Sequence, residues 1–205
     1  MKIVGLTGAA GAGKDTAAGY ALAWCERNGI EAERVAFADP LKVSAARALG
    51  FEGTAQECVA LCNELKQPNV EIHVIDRASK EREEELLCEG KIGGRKYLQL
   101  YGTEAHRDVF GENFWVEVTE RRLAEMAGAV DVVFLTDPRF ENEAQMIHKH
   151  EGEIWEIVRP GLEKVEAHAS EEGLPDGAIE FQLVNAGDLV DLQNLVEAAC
   201  ESNIA

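Results

Sequence analysis

The segment Gly8-Ala9-Ala10-Gly11-Ala12-Gly13-Lys14-Asp15-Thr16 constrains this chain more than any other, because it lies between an apolar run, Lys2–Thr7, and a helical pattern, Thr16–Arg27. A G-x-x-x-x-G-K core between strand and helix turns backbone N–H groups and a helix N-terminus toward a phosphate, while the lysine reaches the outer phosphates. Small residues at positions 8 to 13 suit that close backbone approach. Ala10, Gly11, Ala12, Gly13, Lys14, Asp15 and Thr16 are therefore the candidate nucleotide-binding residues. The usual pattern has Ser or Thr directly after the lysine to hold Mg2+. Here Asp15 stands in that place and the hydroxyl comes one residue later at Thr16, so either can serve the metal shell.

Such a loop belongs in an alternating α/β chain, and β-branched runs recur at Lys2–Thr7, Arg34–Phe37, Val130–Thr136, Glu153–Val158 and Ile179–Val184, with helical patterns between most of them. That alternation predicts a parallel sheet covered on both faces. Between the second and third runs, Asp39 to Gly128 contains no convincing strand, and its apolar residues recur at helical spacing. A helical lobe inserted at about 40–128 is the expectation, within a single domain spanning 1–205.

Charge narrows the partners. The 205 residues carry 20 Lys and Arg against 38 Asp and Glu, a formal −18, which disfavours a nucleic-acid polymer or an anionic membrane. Against that background, Gly90 to Arg107 holds Lys91, Arg95, Lys96 and Arg107 with one acid, Glu104, a local +3 that suits an anionic ligand. The acidic patch Glu81 to Glu85 reads as a solvated helix face. Five cysteines without a C-x-x-C pair fit neither a disulfide framework nor a zinc ribbon and read as reduced thiols of a cytoplasmic protein. No apolar run approaches the ~20 residues of a membrane span.

The run Val130–Thr136 ends in Asp137, which places a carboxylate at the carboxyl edge of the sheet, where ligands of open α/β sheets bind. An Asp there orders Mg2+ or its waters in phosphate-loop proteins, and Asp137-Pro138 is also a good helix entry. Arg139 would point into the same crevice, where a guanidinium grips phosphate in two places, although taken alone it reads by default as a surface salt bridge.

Taken together, Gly8 to Thr16, Phe37-Ala38-Asp39-Pro40-Leu41-Lys42, Leu98 to Glu104, Arg107, Gly111 to Val116, Thr136 to Glu143 and His168-Ala169-Ser170-Glu171 resemble the deoxynucleoside monophosphate kinases of bacteriophages. The motifs span residue 5 to about 195, nearly the whole chain. The resemblance implies a P-loop kinase fold: three layers around a central parallel five-stranded sheet, an acceptor-binding lobe, and a lid-like segment at about 160–177. It implies ATP and a deoxynucleoside monophosphate as substrates, Mg2+ as cofactor, and, for a phage-encoded chain, the host cytoplasm; a homodimer is compatible with the sequence. By the same resemblance Lys42, Arg95, Arg107 and Arg139 hold the acceptor phosphate and the transferring group, while Gln99, Thr103, Glu104, Trp115 and Asn142 lie on the acceptor side. Trp115 reads equally well as a core aromatic behind the pocket. Arg159 and the lid residues His168, Ser170 and Glu171 fall on the ATP side, although His168 also reads as an exposed loop histidine.

A phosphate-monoester acceptor attacks as a dianion, so the reaction needs positioning and charge neutralisation but no general base. A hydroxyl acceptor, as in dephospho-coenzyme A kinase, would need a carboxylate, with Asp39 the first candidate. The Gly-Lys-Asp ending is also similar to animal-type phosphomevalonate kinase. A non-catalytic ATP-binding module would not need a second phosphate pocket.

Overall fold

In the computed structural model, residues 1–76, 88–162 and 173–204 are described. They divide into two compact units, Met1–Ala38 with Val116–Ala205, and Asp39–Trp115.

The first unit is built on five strands, β1 (Lys2–Thr7), β2 (Ala32–Ala36), β5 (Val132–Thr136), β6 (Glu153–Val158) and β7 (Phe181–Val184), in the order β2-β5-β1-β6-β7. Every neighbouring pair is parallel, with Lys2 opposite Val132 and Val4 opposite Glu153. All five are the runs expected from the sequence, with β2 beginning two residues earlier and β5 and β7 two residues later. Because successive side chains alternate in a strand, β1 sends Val4 and Leu6 into one apolar cluster and Ile3 into another. The first cluster is closed by α1 (Lys14–Arg27) and α8 (Leu189–Asn203) through Ala17, Ala21, Trp24, Leu192 and Val196. The second is closed by α6 (Phe114–Met126) and α7 (Glu141–Lys149) through Val116, Leu123, Ala144 and Ile147. Small residues on α1 bring that helix close to the sheet, and the result is the three-layer arrangement in which a parallel sheet is buried on both faces.

The second unit contains α2 (Ala38–Ala48), α3 (Ala55–Leu65), α4 (Gly94–Gly102) and the short α5 (Asp108–Phe110), with its own core of Ala45, Ala46, Cys58, Cys62 and Leu98. Thr54 and Glu57 form a capping box at the start of α3. Contrary to the expectation of a purely helical stretch, β3 (Glu71–Asp76) and β4 (Cys88–Gly93) pair as an antiparallel two-stranded ribbon. Its first strand carries the β-branched Ile72, Val74 and Ile75, but the second, with Gly90 and Gly93, has the composition of a loop. The unit ends at Trp115 rather than near residue 128, since Val116 and Leu123 of α6 are buried in the sheet's second cluster.

Cys25, Cys58, Cys62 and Cys200 are free and buried. Burial pushes the Cys200 thiol up to about 12, with Cys25 and nearby acids adding to the shift. No helix of the described residues is long and apolar enough to cross a membrane.

Candidate active site

Two positions make the phosphate loop conditional on glycine. Gly8 has φ +135, and a Cβ there would lie 2.3 Å from the Ile157 carbonyl oxygen on β6. Gly13, the residue before α1, has φ +106, and its Cβ would lie 3.0 Å from Asn185 Nδ2. Asn185 is 7% exposed, and its amide donates to the Ala12 carbonyl at 2.9 Å, fixing the inner side of the loop from the end of β7. Ala12 N–H in turn donates to Ala9 O at 3.1 Å. The loop is thus held from below, and α1 presents its N-terminal N–H groups beside it.

Lys14, the first residue of α1, folds back over the loop and donates to Gly8 O at 2.9 Å and Ala9 O at 3.0 Å. Its ammonium lies 3.4 Å from Asp137 Oδ1. Asp137 itself follows β5 with φ +64, a conformation uncommon for residues other than glycine. Its N–H donates to Leu6 O at 3.0 Å, and Thr7 Oγ1 donates to Pro138 O at 2.9 Å, so two cross-links from β1 set the turn. Arg139 Nη2 stands 3.8 Å from the same Asp137 oxygen. Buried Glu143 accepts from the N–H groups of Arg139 and Phe140 at 2.7 and 3.2 Å, fixing the backbone that carries Arg139. Asp137 is therefore flanked by two cations.

Asp15 and Thr16 are exposed in the first turn of α1. Asp15 Oδ1 meets Arg34 Nη2 at 3.1 Å, and Arg34 Nε donates to Thr136 Oγ1 at 3.3 Å. Arg34 and Asn185 had no sequence signal: each faces the loop only because a distant strand brings it there. Asn142 is half-buried in α7, and Arg159 is exposed just after β6. His168, Ser170 and Glu171, and the acidic patch Glu81 to Glu85, lie outside the described residues.

Mg2+ takes hard oxygen ligands, keeps several waters and is completed by nucleotide phosphates, so it needs only one or two carboxylates from the protein. The donors present fit that demand: Asp137, with Asp15 and Thr16 on the adjoining turn. Among the described residues no group of three His, Cys, Asp or Glu side chains is disposed to hold a metal by itself.

In the second unit, Arg95, Gln99, Thr103 and Arg107 recur every four residues along one continuous helical run, in which a five-residue π turn, Thr103–Arg107, joins α4 to α5. A regular α-helix rotates such a spacing by about 40° per step, and the wider π turn reverses that drift, so the four stay on one stripe. Arg95, Thr103 and Glu104 are exposed, while Gln99 and Arg107 are half-buried. The opposite stripe, Tyr97, Leu98 and Tyr101, packs in the unit's core. There Tyr97 donates to Ala45 O at 2.9 Å, and burial raises its phenol to about 12.

Trp115 is 4% exposed, with Nε1 donating to Gly102 O at 3.0 Å. His106, absent from the sequence-level candidates, sits among Tyr101, Phe114 and Trp115 at ring-centroid distances of 4.5, 5.3 and 5.0 Å. Lys42 is buried, with its ammonium 3.4 Å from Asp39 Oδ1.

Comparison with known proteins bears on the whole chain. Residues 55–196 match the family described as deoxynucleotide monophosphate kinase. The chain belongs to that family. The matched stretch begins after the phosphate loop, so loop and family match are separate observations that agree on a phosphotransferase. The chain is 27% identical over 227 residues to the deoxynucleoside-5′-monophosphate kinase of Escherichia phage T5, covering 91% of this chain and 90% of the relative. It is 26% identical over 104 residues to the deoxynucleotide monophosphate kinase of Escherichia phage RB69, covering 50% and 43%. A protein of Acanthamoeba polyphaga mimivirus is 28% identical over 208 residues, covering 95% and 89%.

Proposed function

We infer that this member of the deoxynucleotide monophosphate kinase family transfers the γ-phosphoryl group of ATP to a deoxynucleoside 5′-monophosphate, giving the diphosphate and ADP. The observation that carries the reading is a phosphate loop with Lys14 clasped over it in a chain whose residues 55–196 match that family.

The N–H groups of Ala10 to Thr16 would surround the ATP phosphates, with Lys14 on the outer ones and Arg159, His168, Ser170 and Glu171 on the ATP side. Asp137, Asp15 and Thr16 would hold Mg2+, partly through water, and the bound ion would neutralise charge on the phosphate oxygens. The acceptor side comprises Lys42, Arg95, Gln99, Thr103, Glu104, Arg107, Trp115, Arg139 and Asn142. Arg107 and Arg139, with Lys14, are the cations on which the developing charge falls, since little covalent chemistry is left for the protein in such a transfer. Trp115, buried and hydrogen-bonded to backbone, acts as a wall rather than a mobile stacking plate.

The acceptor dianion needs no proton removed, and Asp39 is already engaged by Lys42. The test is an assay for ADP formation with deoxynucleoside monophosphates, unphosphorylated nucleosides and dephospho-coenzyme A as acceptors. Turnover only on the monophosphates, substantially retained in Asp39→Asn, is the expected result. Turnover on a hydroxyl acceptor, with about a 10²–10⁴-fold loss in Asp39→Asn, would reverse the assignment.

A further inference from the structure

Arg34 lies on β2, opposite Phe134 of β5, and its guanidinium reaches in two directions. Nη2 meets Asp15 on the first turn of α1 at 3.1 Å, and Nε bonds the fully buried Thr136, the residue before Asp137, at 3.3 Å. One side chain thus ties together the two segments that carry the site's carboxylates. With side chains 41% and 75% exposed, the Arg34–Asp15 pair contributes little to folding, at most about a fivefold change in the folding equilibrium.

We propose that Arg34 is a positioning residue for ATP binding: it offsets the charge of Asp15 and fixes where that carboxylate stands, so that Asp15 can serve the metal shell without opposing the nucleotide phosphates. Asp15 replaces the neutral hydroxyl residue that usually follows the phosphate-loop lysine, and it therefore brings a negative charge to the helix N-terminus that serves a polyanion. Around the loop, the cations Lys14, Arg34 and Arg139 face the anions Asp15 and Asp137, a balance of +1 that falls to zero without Arg34. The two-way grip requires a guanidinium, because a lysine ammonium is a single point on a flexible stem and cannot hold Asp15 and Thr136 in one fixed geometry.

This inference rests on the ATP-dependent reading above. Full-length wild type, Arg34→Ala, Arg34→Lys, Asp15→Asn and the Arg34→Ala/Asp15→Asn double variant are compared by calorimetric ATP binding with and without Mg2+, by KM for ATP and for a deoxynucleoside monophosphate, and by thermal melting. Arg34→Ala should weaken ATP binding about tenfold while the acceptor KM changes by less than about twofold, a split that mere loosening of the fold would not produce. Arg34→Lys should recover only part of the loss. The double variant should bind ATP like Asp15→Asn alone, since no carboxylate is left to neutralise. ATP binding by Arg34→Ala equal to or tighter than wild type overturns the proposal, as does an equal loss in both Asp15 backgrounds. If Arg34→Ala does not fold, Arg34→Lys decides by the same split, and wild-type ATP affinity in it is the overturning result. Failure of the wild type itself to bind ATP would instead sink the kinase reading.

Discussion

Gly8→Ala is a one-carbon change whose cost the geometry sets. The added Cβ would lie 2.3 Å from Ile157 O and 3.2 Å from Ile157 C, both backbone atoms of β6 that cannot swing away as a side chain would. The φ of +135 adds strain of about 1–3 kcal/mol for a residue with a Cβ. Forcing the contact open adds about 1–3 kcal/mol more, as overpacking does elsewhere. Together these predict a loss of about 2–6 kcal/mol, or about 4–24 °C in Tm for a chain of this size. ATP affinity should fall in parallel, because relief of the clash moves the strand end from which the loop departs. Gly19→Ala is the internal control: it lies inside α1 with no heavy atom within 4 Å of the new Cβ. The same substitution there should stabilise by about 0.5–1 kcal/mol. Thermal and urea melts read both signs. A Gly8→Ala protein that melts within about 2 °C of wild type and binds ATP normally would refute the account of the loop.

Lys14→Ala should abolish phosphoryl transfer with melting little changed, because the ammonium bonds only loop carbonyls and Asp137; unchanged turnover would refute its role. Arg139→Lys should lower kcat strongly although the charge is kept, and near-normal steady-state kinetics would reduce Arg139 to a surface residue. Glu120 accepts from Lys149 at 2.7 Å and meets His150 at 2.9 Å, and these bonds hold its carboxyl below the usual range. A depressed folded-state value gives stability that is present above the unfolded value, about 4.3, and lost as pH falls through the folded one. Glu120→Gln should therefore lower the urea midpoint at pH 7, with the difference shrinking below about pH 4; a constant difference across that window would contradict the pairing.

The sheet was legible in the sequence because each strand carries its own β-branched run, and the phosphate loop because its glycines and lysine are contiguous. The ribbon was not, since a strand containing Gly90 and Gly93 is defined by its partner and not by its own composition. The boundary of the second unit was missed for a related reason. Helical periodicity in Phe114–Met126 reveals a helix but not which core its apolar face joins. Among the side chains of the candidate site and its surroundings, those inside the contiguous motifs could be named in advance. Asn185 could not, because it meets Ala12 across 173 residues, and Arg34 looked like any charge on an edge strand. His106 was hidden in a basic segment, where its neighbours' charges drew attention and its ring did not.

The π turn at Thr103–Arg107 carries one more residue than a regular helical turn would use. It behaves as an insertion that the fold has retained, and the wide turn absorbs it, so the helix after it keeps nearly the phase of the helix before. Deleting a single residue there and closing the turn to a regular one would leave Arg107 near its present angle to Arg95, because eleven α-helical steps complete about three turns, as the present twelve do with the wide turn among them. A one-residue change at this point of the chain is therefore absorbed by the turn, whereas the same deletion inside α4 would rotate Arg107 by about 100° relative to Arg95 and break up the stripe of Arg95, Gln99, Thr103 and Arg107.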